Sequence, residues 1–512
     1  MFGDCGLRFP FLRRCIGGRR RRAAAAADLD PVVLVTGMGG SILNARNRKS
    51  GSIIRVWVRI LLANFEFKKY LWSLYNPDTG CTESLNVDDE IVVPEDDYGL
   101  QAIDILDPSL WAKLMRLTDV YHFHDMIDML IGCGYEKGTT LFGFGYDFRQ
   151  SNRIDKTMDG LKQKLETAYK ASGGKKDFSK YVNKWICIAC PFQGAPGCIY
   201  DSLLTGLQFV YGFESFFFVS RWTMHQLLIE CPSVYEMLPN SGFKWKKKPL
   251  IQVWRKLSEE KENVKLEEYD PATCISFFEE ALKNNELKYN GKSISIPFNF
   301  SILKWAARTR EIIDEAQLPR SVSFYNIFGT SFDSPYDVCY GSETSPIGDL
   351  SKPEYSYVDG DGTVPSESAK ADGFAATARV GIKGSHRGLL NEEKVFQLLK
   401  QWLGVTERSR RHLSTSKVMD INPDVTLAQL SAKGCIMNIV EGREGCTISS
   451  NLPPSYFSGS GCLLQNKWRL WSEEENKKGF GTQPKKVDGL NAIFRRNNVT
   501  CRNKLRKQLR LF

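Results

Sequence analysis

No stretch of about 18 uninterrupted apolar residues occurs in the chain, which argues against a membrane-spanning helix. The nearest candidate, residues 203–219, is broken by Gln208, Gly212 and Glu214. The amino end lacks the apolar core of roughly 7–15 residues that a secretory signal needs, although its Arg and Ala content suits a transit peptide. No internal repeat is present. The 14 cysteines follow no repeated spacing, which excludes a disulfide framework and favours a reducing, cytosol-facing compartment. Cys187-Ile-Ala-Cys190 has the spacing of a redox pair. It lies within an apolar strand rather than at a helix start, however, which argues for packing over redox chemistry.

Histidine is scarce, with five in 512 residues, so each one can be placed. His122 and His124 are two positions apart and face different sides of a helix, an arrangement poor for a metal. His225 lies in an aromatic segment and His412 near the carboxyl end. His386 sits alone in a short loop, GSHRGL, before an amphipathic stretch.

The net charge of +10 belongs to the ends of the chain. Residues 1–30 carry seven Arg against three Asp, and residues 405–512 carry 19 Lys and Arg against nine Asp and Glu. The body between is mildly acidic. With the basic charge outside it and no stacking-aromatic motif, nucleic acid is not an expected partner. Solvated tails, or tails weakly attracted to anionic lipid, account for the excess. At 42% hydrophobic and 25% charged, the chain as a whole has the composition of a globular protein rather than a disordered one.

The sequence divides into a basic Ala/Arg-rich extension (1–30), an ordered body (31–404) and a basic tail without sustained periodicity (405–512). Within the body, strands are expected at 31–36, 139–144, 185–190, 321–329 and from 355, with helices near 120–131, 153–171 and 392–403. Residues 50–100 read as an insertion and 198–310 as a largely helical excursion. Strands alternating with helices predict an α/β fold with a mostly parallel sheet, in which working residues gather at the carboxyl ends of strands.

Three such ends stand out. TGMGGS (36–41) fails as a dinucleotide fingerprint because Ile42 takes the third glycine position, and it is no phosphate loop. It is either a tight turn or a loop whose backbone N–H groups face a developing oxyanion. VDGDGTVP (358–365) invites a calcium reading, but Thr363, Val364 and Pro365 interrupt it and no Glu holds the twelfth position. GSHRGL places His386 25 residues after Asp361. An Asp and then a His, both late and both at strand ends, fit the order Ser…Asp…His of α/β-hydrolases. The serine turn G-x-S-x-G that this order needs is absent. Ser172 ends a helix, Ser41 belongs to the glycine loop, and Ser458 and Ser460 follow the His.

Residues 31–404 resemble the lecithin–cholesterol acyltransferase-like family, and most closely its plant phospholipase A-type members. The resemblance rests on PVVLVTGMGGSILNA, RVWVRI, LFGFGYDFRQSNR, KWICIACPFQGAPG, FFFVSRWTMHQLLIECPSVYEMLPN, CYGSE, VDGDGTVPSESA and HRGLL. It implies an α/β-hydrolase fold with lid or cap insertions near 50–100 and 198–310. By the same likeness Asp361 is the triad acid, His386 the base and the Met38 backbone N–H part of the oxyanion hole. It implies a phospholipid or acyl-lipid substrate met at a membrane surface, no metal or dissociable cofactor, and a cytoplasmic or peripheral-membrane location. Around Trp57 and Trp72 it implies a lid that contacts lipid, with ordinary core burial as the competing expectation, and it makes 203–222 an apolar acyl-site wall.

The family also carries roughly twenty residues between the helix ending near Gly174 and the segment at 178–182: an apolar strand, the nucleophile turn and the start of a helix. Here GGKK (173–176) runs directly into Asp177 and Phe178. The expectation is a sheet one central strand short, a His without its serine, no serine-dependent acyl transfer, and a weakened fold. The alternative class of function is a catalytically silent lipid-binding or interaction protein.

Overall fold

A computed structural model describes residues 29–58, 67–109, 121–171, 182–206, 220–256, 264–346 and 353–406. All lie in the first of two units, Met1–Leu413 and Ser414–Phe512. The extension to residue 28, the tail from 407, residues 207–219 and the junction at 172–181 are outside the described residues.

From the amino end, β1 (Val32–Val35) enters the glycine loop. The next segment carries β2 (Leu43–Asn47), β3 (Ile53–Trp57), β4 (Ser73–Asn76), β5 (Cys81–Ser84) and β6 (Asp89–Val92). Helix α1 (His124–Cys133), β7 (Leu141–Phe144), helix α2 (Asp155–Ala171) and β8 (Lys184–Ile188) follow. In α1, Met126, Ile127, Leu130 and Cys133 recur every three or four positions and are all buried, the apolar stripe of an amphipathic helix. It stops at Gly134, whose φ of 104° is open to glycine at little cost.

The excursion then holds α3 (Pro196–Leu204), α4 (Arg221–Leu228), α5 (Pro232–Tyr235), β9 (Ile251–Lys256), β10 (Val264–Tyr269), α6 (Cys274–Ala281), β11 (Glu286–Tyr289), β12 (Lys292–Ser295) and α7 (Phe300–Glu315). The chain closes with β13 (Ser323–Thr330), β14 (Phe332–Tyr340), β15 (Pro353–Gly360), α8 (Ser366–Lys370), β16 (Ala376–Lys383) and α9 (Glu393–Leu403).

The parallel strands fall into two groups. Among the described residues β1 pairs only with β7, in register from Val32–Leu141 to Val35–Phe144. β13 runs between β8 and β16, parallel to both. Among the described residues no strand joins β1 to β8. A shared core nevertheless spans both groups: Leu34, Leu141, Ala189, Ile327 and Ile382 belong to one buried cluster with α1 and α9. A strand covered on both faces is buried along its length, as β7 is. β1 is not, and Val35 is 45% exposed.

The strands expected for the main sheet pair in parallel, β1 with β7, and β13 with β8 and β16. Antiparallel pairing is found in separate groups: β2, β3 and β6 form one, β4–β5 and β11–β12 are hairpins, and β10-β9-β14-β15 is mixed. Short turns join neighbours in the insertions, and a short turn permits only antiparallel pairing. One sequence expectation needs correction: the described part of 198–310 is not largely helical, since it contains four strands. The alternation in Ile251–Lys256, with Ile251 and Val253 buried, was hidden by its charged and aromatic neighbours.

A second, larger core lies under the insertions. Trp57 and Trp72 belong to it with Phe67, Leu71, Phe148, Tyr200 and Leu227, and both are almost fully buried. Core burial, rather than a lipid-facing lid, is therefore what these two side chains do. Among the described residues no helix is long and apolar enough to cross a membrane.

Candidate active site

Asp361 follows β15, and His386 follows β16. The structure brings them together. His386 Nδ1 lies 2.8 Å from Asp361 Oδ2, and the His386 amide donates to the Asp361 carbonyl at 2.7 Å. Asp361 is 1% exposed, whereas the imidazole is 36% exposed. The other carboxylate oxygen, Oδ1, accepts the amides of Thr363 (2.9 Å) and Val364 (2.7 Å). Those two bonds fix which oxygen faces the ring. They also explain GDGTVP: Gly362 takes a φ of 89° so that the chain can fold back over its own aspartate. Gly329 on β13 leaves room for the same side chain, since a Cβ there would lie 2.4 Å from the Cβ of Asp361.

Asp359 is not part of this pair. Its carboxylate accepts the Ser331 amide at 2.6 Å and the Ser366 hydroxyl at 2.8 Å. The two aspartates of the loop thus serve separate sites. Among the described residues no three His, Cys, Asp or Glu side chains gather as metal ligands would.

The glycine loop after β1 is braced from three sides. Trp57 Nε1 donates to the Gly39 carbonyl at 2.6 Å. The Tyr146 amide donates to Ser41 Oγ at 3.0 Å, which anchors the loop to the corner after β7, and Ser41 is fully buried. Thr36 Oγ1 shares a 2.8 Å hydrogen bond with His122 Nε2. The third brace needs glycine at position 40, where a Cβ would sit 2.0 Å from Thr36 Oγ1 and 2.3 Å from His122 Nε2. Met38 is half-buried at the tip of this loop, and its N–H donates to none of the described residues.

His122 was missed as a site residue by sequence reasoning. Burial first, then the charges of Arg387 and His386, hold its pKa down to about 3, so it is neutral at pH 7. Its partner Thr36 lies 86 residues away, and no local pattern announces the contact. His124 points elsewhere, with Nδ1 2.7 Å from Asp104.

The corner 145–149 is set by Arg149, which is 2% exposed and grips Asp147 through Nε (3.0 Å) and a second nitrogen (2.8 Å). It also donates to the Leu71 carbonyl at 3.0 Å and so ties the insertion to the main sheet. Burial alone would raise the Asp147 carboxyl, but the guanidinium holds it below the usual carboxylate range. Cys198, on α3, has its thiol pushed up to about 12 by burial and then by the charges of Asp361 and Asp201. Among the described residues no hydroxyl hydrogen-bonds His386 Nε2.

Known proteins are similar to this chain. The family model of lecithin:cholesterol acyltransferase matches residues 71–179. An Arabidopsis thaliana protein named phospholipase A(1) LCAT3 is 62% identical over 429 residues, covering 78% of this chain and 96% of its own length. Since 78% of 512 residues is about 399, some 30 of those aligned positions have no counterpart here. A second Arabidopsis protein, lecithin-cholesterol acyltransferase-like 4, is 49% identical over 415 residues, covering 74% of this chain and 76% of its own. A solved structure, the Tle4–Tli4 complex, overlaps 73% of this chain and 98% of its own at a TM-score of 0.40 and 12% identity, a likeness too loose to bear on the fold. The chain belongs to the lecithin:cholesterol acyltransferase family.

Proposed function

We propose that this chain carries the acid–base half of a serine acyl-transfer site for glycerophospholipids and lacks the serine that would complete it. The observation behind this reading is the Asp361–His386 pair, oriented by two backbone amides and with no hydroxyl at its outer nitrogen among the described residues. In a complete site a serine attacks the acyl ester. His386 Nε2 takes its proton while Asp361 holds the ring through Nδ1 and stabilises the imidazolium. The Met38 N–H, which donates to none of the described residues, donates to the oxyanion. The acyl-enzyme then passes to water or a lipid hydroxyl.

Three observations support a missing strand and serine. The parallel strands stand in two groups with nothing between β1 and β8 among the described residues. Helix α2 ends at Ala171 and β8 begins at Lys184, which leaves only residues 172–183 for a strand, a turn and a helix. About 30 aligned positions are unmatched in this chain, and the family match stops at residue 179, within the same junction.

The test is twofold. The transcript read across the codons for 174–178 is expected to contain additional codons for an apolar strand and a serine turn. The chain as it stands is expected to resist labelling by a fluorophosphonate and to release no fatty acid from phosphatidylcholine vesicles. A labelled serine whose reactivity disappears in His386→Ala would overturn the proposal. If the junction is confirmed as written, the reading becomes a silent lipid-binding protein, checked by co-sedimentation with the same vesicles.

A further inference from the structure

Each group of parallel strands ends in an edge that no described strand covers, β1 in one group and β8 in the other. A parallel strand directs alternate backbone groups to its two sides. On β1, the Val32 amide donates to the Thr140 carbonyl at 2.8 Å. Val32 and Leu34 therefore serve β7, and the backbone groups of Val33 and Val35 point to the open side. On β8, the Asn183 carbonyl accepts the Ser323 amide at 2.9 Å, and Ala189 donates to the Ile327 carbonyl at 2.9 Å. The odd-numbered residues thus serve β13, and the backbone groups of Ile186 and Ile188 point away from it. Among the described residues the amides of Val33, Val35, Ile186 and Ile188 have no acceptor. Of the four carbonyls, only that of Ile188 has a contact, the Cys190 thiol at 3.9 Å.

The two edges are held close together. Asn183, just before β8, donates through its side-chain amide to the Asp30 carboxylate, shortly before β1, at 2.7 Å. Two such side chains joined end to end keep their backbones within about 10 Å, the room of one strand between two others spaced at about 4.8 Å. β1 and β8 do not pair with each other. Leu34 and Ala189 nevertheless lie in one buried core, with Ile186 and Ile188 packed against it. The space between the edges is therefore no wider than one strand at its start, with apolar side chains around it and unpaired polar groups along both rims. Val33, Ile186 and Ile188 are only half-buried, and Val35 is exposed.

We propose that the β1 and β8 edges form a slot that takes one extended apolar peptide segment from a partner. The segment is four or five residues long, the length of β1 and β8. The rims supply main-chain hydrogen bonds on both sides, and the core selects its side chains. A strand enclosed in this way is apolar at every position and carries no charge. The chain's own nearest stretch does not meet that requirement, since SGGKKDFSKY (172–181) holds two glycines, three lysines and an aspartate. The inference rests on the missing strand of the proposed function and names the chemistry of what takes its place.

The test uses the full chain and a synthetic pentapeptide of alternating valine and isoleucine, with a lysine tail for solubility. Amide hydrogen exchange is read residue by residue with and without the peptide. Exchange at Val33, Val35, Ile186 and Ile188 is expected to slow by about tenfold or more. Leu34 and Cys187, already bonded to β7 and β13, should not change. The same peptide with a central proline, which cannot donate to a rim, should protect nothing. Unchanged exchange at the four amides, or slowing spread evenly along the chain, would overturn the proposal. So would four amides that are already slow in the free chain, because the slot is then closed without a partner. Fluorophosphonate labelling of the same sample separates the two readings. A labelled serine whose reactivity is lost in His386→Ala defeats the proposed function, whereas an unlabelled chain with unprotected amides defeats this inference alone.

Discussion

His386 meets Asp361 twice, once through the ring at 2.8 Å and once through its backbone amide at 2.7 Å. The backbone bond does not depend on either side chain, so the two loops stay joined when the carboxylate is neutralised. In Asp361→Asn the amide oxygen can still accept the Thr363 and Val364 amides. The variant is expected to fold, with a stability loss of about 1–2 kcal/mol from the altered contact to the ring. On the proposed reading the pair has no nucleophile to serve, so fatty-acid release from phosphatidylcholine should stay at the background of the unsubstituted chain. Thermal unfolding and the vesicle assay check the two halves. A fall in release would mean that a nucleophile is present.

Arg149 is a buried cation whose partners lie on both sides of a seam. It holds Asp147 on its own corner, and the Leu71 carbonyl and the Ser84 hydroxyl in the insertion. Removing one member of such a pair leaves the other charge buried and alone, which costs about 3–5 kcal/mol. Arg149→Ala is expected to lower the unfolding free energy by that amount in urea titrations. Arg149→Lys should recover only part of it, since an ammonium cannot grip the carboxylate and reach the carbonyl together. Equal stability of the two variants would show that charge alone matters at this corner.

The pair at the site was legible because both residues sit where an apolar run ends in glycine and polar residues. Helices α1 and α2 were legible from their periodicity, although α1 starts only at His124, after a stretch the sequence took as helical. What escaped reading depends on distance or on mixed signals. β14 hides a strand behind Pro335, which the sheet accommodates with a register shift between Pro335 and Val338. The exposed positions of β16 carry its polar and small residues, and only its pairing with β13 makes it a strand. Thr36 and His122 are 86 residues apart and meet only in the fold. The burial of Trp57 and Trp72 was undecidable from sequence, since a lid and a core use the same aromatic residues.

His122 makes the fold sensitive to acid. Its pKa is about 3 in the folded chain and 6.5 as a free side chain. As pH falls below 6.5 the unfolded chain takes up a proton that the folded chain refuses. The stability contributed by neutral His122 is therefore lost progressively between pH 6.5 and about 3, at up to roughly 1.4 kcal/mol per pH unit. His122→Asn cannot titrate. Its unfolding free energy should fall less steeply over pH 7 to 4 than that of the unsubstituted chain, measured by urea titration at each pH. Parallel slopes would place the acid sensitivity in other groups.

Glu230 has the opposite sign. Its carboxylate accepts the Tyr75 amide at 2.8 Å, with the Asn299 amide at 3.3 Å, and both bonds favour ionisation. Burial outweighs them and raises the pKa to about 7. Between pH 4.5 and 7 the unfolded chain gives up the proton while the folded chain keeps it, so stability is greatest in acid and declines as pH rises through that window. The carboxyl group links the β4 strand to the start of α7, because the Tyr75 amide and Asn299 converge on it, and its ionisation loads that junction. Glu230→Gln retains an acceptor for Tyr75 and does not titrate. The stability of the variant relative to the unsubstituted chain is expected to rise by on the order of 2–3 kcal/mol from pH 4.5 to pH 8. Urea titrations at the two pH values measure it, and a difference that does not change with pH would mean that the carboxylate ionises normally despite its burial.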